Sequence, residues 1–434
     1  MKFAEINSSI SRAVAAFTVV LLFMAPWLYA SAGQGRPVGI ADGDGTDTVE
    51  VDSATADVAI SEPDLLWPLN VQSRLDVLLQ GSIFETSTVG MMVYDLTADS
   101  VIYRHNERQL MRPASTLKMM VAVAALDRLG RGYEYVTELL HTGEVSGNVL
   151  SGDLYCKGGF DPAFGSSGLD EFVDSLRRLG VDTIAGDLYA DVSMKDDDRL
   201  GEGWCWDDDN PVLSPLLVSR EDNFTERLRS RLHRAGIEVT GELKTGRAPS
   251  GARRLCAVRR PIMDVLPRMM KQSDNLYSES VFYHLAASSG SSRPATARQG
   301  RNMMNRLVEQ LGFKPSNYYI ADGSGLSLYN YVSPELEVAF LRYAYRNDRI
   351  YVPLYQVMPI AGIDGTLGSR MRRGYARGNV HAKTGTVTGV SALAGYCTAA
   401  NGHVLCFSII NMGIRRAATG RGFQDKVCEA LCRP

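Results

Sequence analysis

The chain has 434 residues, 45% hydrophobic and 22% charged, a globular composition that excludes a mostly disordered or collagen-like chain. Its 46 basic and 49 acidic side chains leave a net charge of -3, with no basic footprint for nucleic acid. Six scattered histidines, with no HxxxH and no Cys/His pair at zinc-finger spacing, point away from a transition-metal site.

Lys2 and Arg12 precede an apolar run from Ala13 to Ala30, and Ala30-Ser31-Ala32 places small residues where a signal peptidase reads. The pattern predicts a secretory signal over 1–32, the other reading being an uncleaved anchor. Residues 33–66 carry eight carboxylates against one arginine, Arg36, and bury too little to fold. They are read as an acidic linker.

Val89 to Leu96 alternates as a strand, Thr97 to Ser100 as a turn, and Val101 to Arg104 as a second strand. Ser115 to Leu129 reads as a helix stopped by Gly130. Ser151-Gly152-Asp153-Leu154-Tyr155 recurs as Ala185-Gly186-Asp187-Leu188-Tyr189 and, loosely, as Thr240-Gly241-Glu242-Leu243. Three unequally spaced copies predict equivalent strands of one small sheet rather than a solenoid. A helix follows at Thr225 to Ala235, another starts at Ser333-Pro334-Glu335, and a last one spans Gln424 to Leu431. Val390–Thr398 and His403–Asn411 form a hairpin about Asn401-Gly402. A two-residue turn there sets Cys397 opposite Cys406, as a disulfide or as two buried thiols in a core sheet. The seven cysteines are an odd number, so at least one is free or pairs between chains. The organisation expected is an α/β protein in which 67–133 and 256–434 form one discontinuous domain, interrupted by a smaller β-rich domain over 134–255.

Ser115-Thr116-Leu117-Lys118 is the one S-x-x-K in the chain. Positions i and i+3 share a helix face, so a serine hydroxyl and a lysine amine can meet in one cleft, where a desolvated lysine can take the serine proton. Ser273-Asp274-Asn275 and then Lys383-Thr384-Gly385-Thr386 follow, the order S-x-x-K, S-D-N, K-T-G of penicillin-interacting serine enzymes. Lys244-Thr245-Gly246 is a decoy, since it precedes Ser273, whereas Lys383 leads directly into an apolar strand.

With Gly158-Gly159-Phe160-Asp161-Pro162, Gly203-Trp204-Cys205-Trp206-Asp207-Asp208, Asp322 to Ser327 and Gly362 to Leu367, these motifs make residues 68–432 resemble the penicillin-binding D-alanyl-D-alanine carboxypeptidases and endopeptidases of serine peptidase family S13. The resemblance implies a transpeptidase-like domain with a central antiparallel sheet and helices. It implies Ser115 as acylated nucleophile, Lys118 as general base, and Ser273 as proton relay to the leaving amine. Asn275 would hold the substrate amide, and Lys383, Thr384 and Thr386 its terminal carboxylate. Gly385 lets a bound backbone come close, and the N–H groups of Ser115 and Thr386 would form the oxyanion hole. Asp161 is carried over as a contact to the peptide's diamino acid, against a plain reading as a turn residue before Pro162. Asp322 to Ser327 reads as support for the cleft, and Trp204 with Trp206 as core or domain contacts.

The implied partners are peptidoglycan peptides, with β-lactams as covalent inhibitors and no nucleic acid. No cofactor and no metal is implied. Peripheral membrane association and oligomeric state stay open. The localisation implied is the periplasm. Two other readings are a β-lactamase, although no E-x-x-L-N pentapeptide lies between Asn275 and Lys383, and an inactive wall-binding protein.

Overall fold

The computed structural model describes residues 66–206, 210–290 and 294–434. The export segment at 1–32, the acidic stretch up to 65, and Asp207 and Asp208 lie outside these residues.

A five-stranded antiparallel sheet organises the larger part of the fold. Its strands are β1 (Thr88–Asp95), β2 (Ser100–His105), β3 (His381–Val387), β4 (Val390–Thr398) and β5 (Val404–Met412), in the order β3-β4-β5-β1-β2. The N-terminal strand β1 pairs directly with β5, from Thr88 opposite Met412 to Asp95 opposite Leu405. Both faces of the sheet are covered, which is why β1, β4 and β5 read as near-continuous apolar runs.

One face, with Met92, Tyr94, Ala392, Tyr396, Cys406 and Ile410, meets helices α1 (Leu117–Arg128), α2 (Asn275–Ala287) and α3 (Pro334–Tyr345) in the largest core. The other, with Met91, Val93, Leu393, Cys397, Leu405 and Phe407, meets Leu69–Leu79 and the C-terminal helix α4 (Ala417–Cys432). In α1 every residue from Leu117 to Leu126 is buried. A helix that is apolar all round has no face for water, so the lysine in its first turn goes inside with the rest. Ser333 caps α3 by accepting the Leu336 N–H at 3.2 Å. Among the described residues no helix is long and apolar enough to cross a membrane.

The interrupting segment builds a second five-stranded sheet from Leu243–Thr245, Leu188–Asp191, Leu154–Lys157, Glu134–His141 and Arg253–Pro261, in that order. The three sequence repeats are neighbours in it: Leu154 pairs with Leu188, and Leu188 with Leu243. Asp153 Oδ1 accepts the Asp187 N–H at 2.9 Å, and Asp187 Oδ1 accepts the Glu242 N–H at 2.8 Å. A Cβ on Gly186 would lie 2.3 Å from the Gly152 carbonyl oxygen, and one on Gly241 2.4 Å from that of Gly186. The second and third repeats therefore need their glycines to stack on the repeat before. Arg253–Pro261 pairs with Glu134–His141, so this sheet runs past residue 255 to Pro261.

The β4–β5 hairpin differs from expectation. Ala399 and His403 close a three-residue loop ending in Gly402 at φ +87°, and Asn401 Oδ1 accepts the His403 N–H at 3.0 Å. The extra residue slips the register by one. Cys406 then faces Tyr396 and Cys397 faces Leu405. A one-residue slip exchanges sheet faces, so Cys397 and Cys406 are buried thiols in different cores. All seven cysteines are free thiols.

Candidate active site

Ser115 sits in a single 3-10 turn (Ala114–Thr116) that feeds α1, with Ala114 in the left-handed region at φ +48°. Two glycines pack closely against this turn. A Cβ on Gly325 would lie 1.8 Å from the Ala114 carbonyl oxygen, and a Cβ on Gly385 would lie 2.7 Å from the Pro113 oxygen and 3.0 Å from the Ser115 nitrogen. The absent side chain of Gly385 thus makes room for the nucleophile turn itself, not only for a bound substrate backbone.

Lys118 is fully buried. Its Nζ donates to Ser115 Oγ at 2.9 Å, Asn275 Oδ1 at 2.8 Å and the Ser324 carbonyl at 2.6 Å. Burial pulls the amine down to about 8, against the opposing pull of Asp322, Glu279 and Asp274. A lysine with this affinity gives up a proton near neutral pH, which a surface lysine does not.

Ser273 lies at φ +59° in the turn before α2, opposite the edge strand β3. Lys383 is buried on β3 and donates to Ser273 Oγ at 2.8 Å and to the Thr384 carbonyl at 2.8 Å. Burial lowers it well below the usual lysine range, and the neighbouring Lys118 adds to the fall. Thr384 donates its hydroxyl to Thr366 at 2.8 Å, while Thr386 is exposed. Ser115, Lys118 and Asn275 form one hydrogen-bonded set and Ser273 with Lys383 a second, and the influence of Lys118 on Lys383 shows that the two sets are neighbours, walled by β3 on one side and α2 on the other. A bound anion would relieve the repulsion between these two buried amines and favour their charged forms, and the edge of β3 beyond the Ile360–His381 bridge suits an extended peptide.

Asp274 starts α2 and accepts from Arg220 at 2.7 Å and Arg268 at 2.8 Å. Burial pushes its carboxyl up, but the two guanidiniums outweigh it and hold it below the usual range. Arg220 comes from the inserted segment and has φ +73°, so a strained loop of that segment clamps the second motif.

Asp161 lies outside both hydrogen-bonded sets. It is buried, accepts the Ala163 N–H at 2.9 Å in an Asx turn, and takes Arg260 Nε on both oxygens at 2.8 Å. Phe160, standing before it, is also left-handed at φ +47° and buried against Tyr283. Lys244 of the decoy motif is on an edge strand of the inserted sheet, paired with Asp187.

The Asp322 loop, read from the sequence as support for the cleft, does support the site, as do two residues that sequence reasoning passed over, Glu279 and Glu337. Asp322 accepts from Trp204 Nε1, Gly325 N, Asn330 Nδ2 (each 2.8 Å) and Ser327 N (2.7 Å), and this fixes the loop whose Ser324 carbonyl holds Lys118. Trp204 is thus a domain contact, whereas Trp206 is 85% exposed and belongs to no core. Glu279 lies one helical turn beyond Asn275 and accepts the Gly323 N–H at 3.0 Å; burial, with Asp322 nearby, raises its carboxyl to about 8. Glu337 lies beneath Thr116. The visible signal for Glu279 was an acid inside a largely apolar helix, whereas Glu337, in the first turn of α3 beside Glu335, offered none.

The model of the D-Ala-D-Ala carboxypeptidase 3 (S13) family matches residues 71–217 and 215–431. The chain is 27% identical over 409 residues to D-alanyl-D-alanine carboxypeptidase DacB of Haemophilus influenzae, covering 74% of this chain and 85% of that one. It is 26% identical over 443 residues to a D-alanyl-D-alanine carboxypeptidase of Actinomadura, covering 79% and 81%. Penicillin binding protein 4 of Haemophilus influenzae, solved in complex with a β-lactam, superposes with a TM-score of 0.70 at 25% identity, over 84% of this chain and 100% of that chain. With matches from residue 71 to residue 431, this chain belongs to the D-Ala-D-Ala carboxypeptidase (S13) family.

Proposed function

We propose that the protein is a serine D-alanyl-D-alanine carboxypeptidase of peptidoglycan stem peptides, with DD-endopeptidase activity on cross-links at the same site. The observation that carries this reading is the buried Lys118 amine 2.9 Å from the Ser115 hydroxyl, with Lys383 and Ser273 joined beside it. Lys118 takes the Ser115 proton as Oγ attacks the carbonyl of the penultimate D-alanine. The N–H groups of Ser115 and Thr386 stabilise the oxyanion, and Asn275 orients the substrate amide. Lys383, Thr384 and Thr386 bind the terminal carboxylate. Ser273 hands a proton to the departing amine as the C–N bond breaks. Water then hydrolyses the ester on Ser115. A β-lactam enters by the same attack and stays as an ester on Ser115, and the carboxypeptidase names of the relatives agree with this chemistry.

The protein works in the periplasm in this reading, supported by the apolar run and the small residues Ala30-Ser31-Ala32 that follow it. The deciding experiment incubates the protein and its Ser115→Ala variant with a pentapeptide and with cross-linked muropeptides, products being followed by mass. Release of one alanine or splitting of dimers by the wild type alone supports the proposal. Turnover by neither protein overturns it and leaves a wall-binding role.

A further inference from the structure

Glu337 lies on α3, fully buried, beneath the turn that carries Ser115. Its Oε2 accepts the Ser408 hydroxyl at 2.6 Å, and its Oε1 is hydrogen-bonded to Thr116 Oγ1. Thr116 Oγ1 also stands 2.7 Å from the Pro113 carbonyl oxygen. A hydroxyl carries one hydrogen, and a carbonyl only accepts. Two oxygen–oxygen contacts of hydrogen-bond length therefore meet at Thr116 with one threonine proton between them. If Thr116 donated to Glu337, its oxygen and that of Pro113 would face each other with lone pairs only. A proton on Oε2 leaves that defect in place. The count closes when Glu337 Oε1 carries a proton and donates it to Thr116, which donates in turn to Pro113.

We propose that Glu337 is a protonated positioning residue that holds the nucleophile turn through Thr116 and Pro113; the role rests on Ser115 being the nucleophile. Pro113 and Thr116 flank Ser115, and the Pro113 oxygen and Ser115 nitrogen are the atoms nearest the missing Cβ of Gly385. The turn is thus wedged between β3 and a carboxylic acid. Ionisation turns the donor into a competing acceptor, leaves the Pro113 oxygen with only the longer bond from the Thr116 N–H, at 3.3 Å, and loosens the turn.

The surroundings favour the neutral form. Burial raises this carboxyl to about 7, outweighing the opposing pull of its bonds to the Ser408 and Thr116 hydroxyls, and no cation is bonded to it among the described residues. The elements packed against α3 bring Lys118, Asp127 and Arg128 on α1, Tyr94 and Asp95 on β1, Tyr396 and Cys397 on β4, and Cys406 on β5. The helix Asp348–Val357 adds Asp348, Arg349, Tyr351 and Tyr355, and α3 itself Glu335 and Arg342. None of these bonds to Glu337; Lys118 is committed to Ser115, Asn275 and Ser324, and Arg342 to the Tyr94 hydroxyl.

The test uses the full protein with Glu337→Gln and Glu337→Met. Glutamine keeps a donor for Thr116 and an acceptor for Ser408 but cannot ionise, while methionine keeps only bulk. Acylation by a fluorescent penicillin should stay within about twofold of wild type in E337Q at pH 6 and fall about tenfold or more in E337M. The sign of the pH effect follows from a raised folded pKa: the stabilisation is whole below the ordinary carboxyl range and is lost as pH rises through about 7. The melting temperature of E337Q relative to wild type should therefore climb from the ordinary carboxyl range up to about pH 7 and level off above it. An infrared carboxylic-acid C=O band in wild type, missing from E337Q, would report the proton directly. E337Q as slow as E337M, or a flat melting difference with no such band, would overturn the proposal. The melting and infrared arms read the proton without any turnover, so a wrong assignment of the enzymatic reaction shows separately. If E337M fails to fold, E337Q decides.

Discussion

The Lys118 amine and the Ser115 hydroxyl are 2.9 Å apart, and the two other partners of that amine, Asn275 Oδ1 and the Ser324 carbonyl, are neutral. Among the described residues no carboxylate is bonded to the lysine to keep its proton in place. Its proton affinity is set first by burial, which lowers it to about 8.

Acylation by penicillin should therefore rise with pH as Lys118 deprotonates, with an ascending limb centred near 8. Lys118→Arg keeps the charge but cannot lose a proton near neutrality. It should cost about 10² to 10⁴ in acylation rate, the range for removing a general base. Stopped-flow acylation across pH checks both statements. An arginine variant with the wild-type rate would remove Lys118 from the role of base.

Gly385→Ala should damage turnover while sparing the fold. The added methyl would meet the Pro113 oxygen at 2.7 Å and the Ser115 nitrogen at 3.0 Å, so the nucleophile turn must shift. A displacement of about 1 Å at a reacting group can cost about 10²-fold. The expectation is a loss of that order in kcat/KM with a melting temperature lowered by overpacking worth about 1–3 kcal/mol, while the protein still folds.

Asp322→Ala should act on stability and activity together. It strips the acceptor from Trp204, Gly325, Ser327 and Asn330 in a buried loop. Each buried donor left unsatisfied costs about 1–3 kcal/mol, so a loss of roughly 3 kcal/mol or more is expected in denaturant unfolding. Activity should fall as well, because the Ser324 carbonyl that holds Lys118 is on the same loop.

Non-reducing peptide mapping of the folded protein should find no link between Cys397 and Cys406. Their side chains are on opposite faces of the sheet, Cys397 against Leu405 and Cys406 against Tyr396. Recovery of that bridge would show that the hairpin has the shorter loop.

The antiparallel sheet with its helices was readable because its strands and helices are long and strongly patterned. The repeated Gly-Asp-Leu-Tyr segments announced the second sheet, since each glycine marks where one strand end leans on the next. Asn401-Gly402 misled by one residue, because the same dipeptide ends a three-residue loop as readily as it forms a two-residue one. Glu337 stayed hidden for a different reason. An acid in the first turn of α3 already has an ordinary explanation in the helix dipole, and nothing local says that the turn is buried beneath Thr116. Trp206 shows the converse, since a tryptophan two residues from a buried contact still ends in solvent.

The pairing of β1 with β5 joins residue 88 to residue 412. The inner strand of the main sheet is therefore among the first to be synthesised, and its partner among the last. Until the ribosome has passed that point, Ser115 has no wall behind it and β1 has an open edge. Contacts of such long sequence separation make folding slow. They also tie the first appearance of hydrolytic competence to near-completion of the polypeptide, so a chain stopped before β3 is no hydrolase.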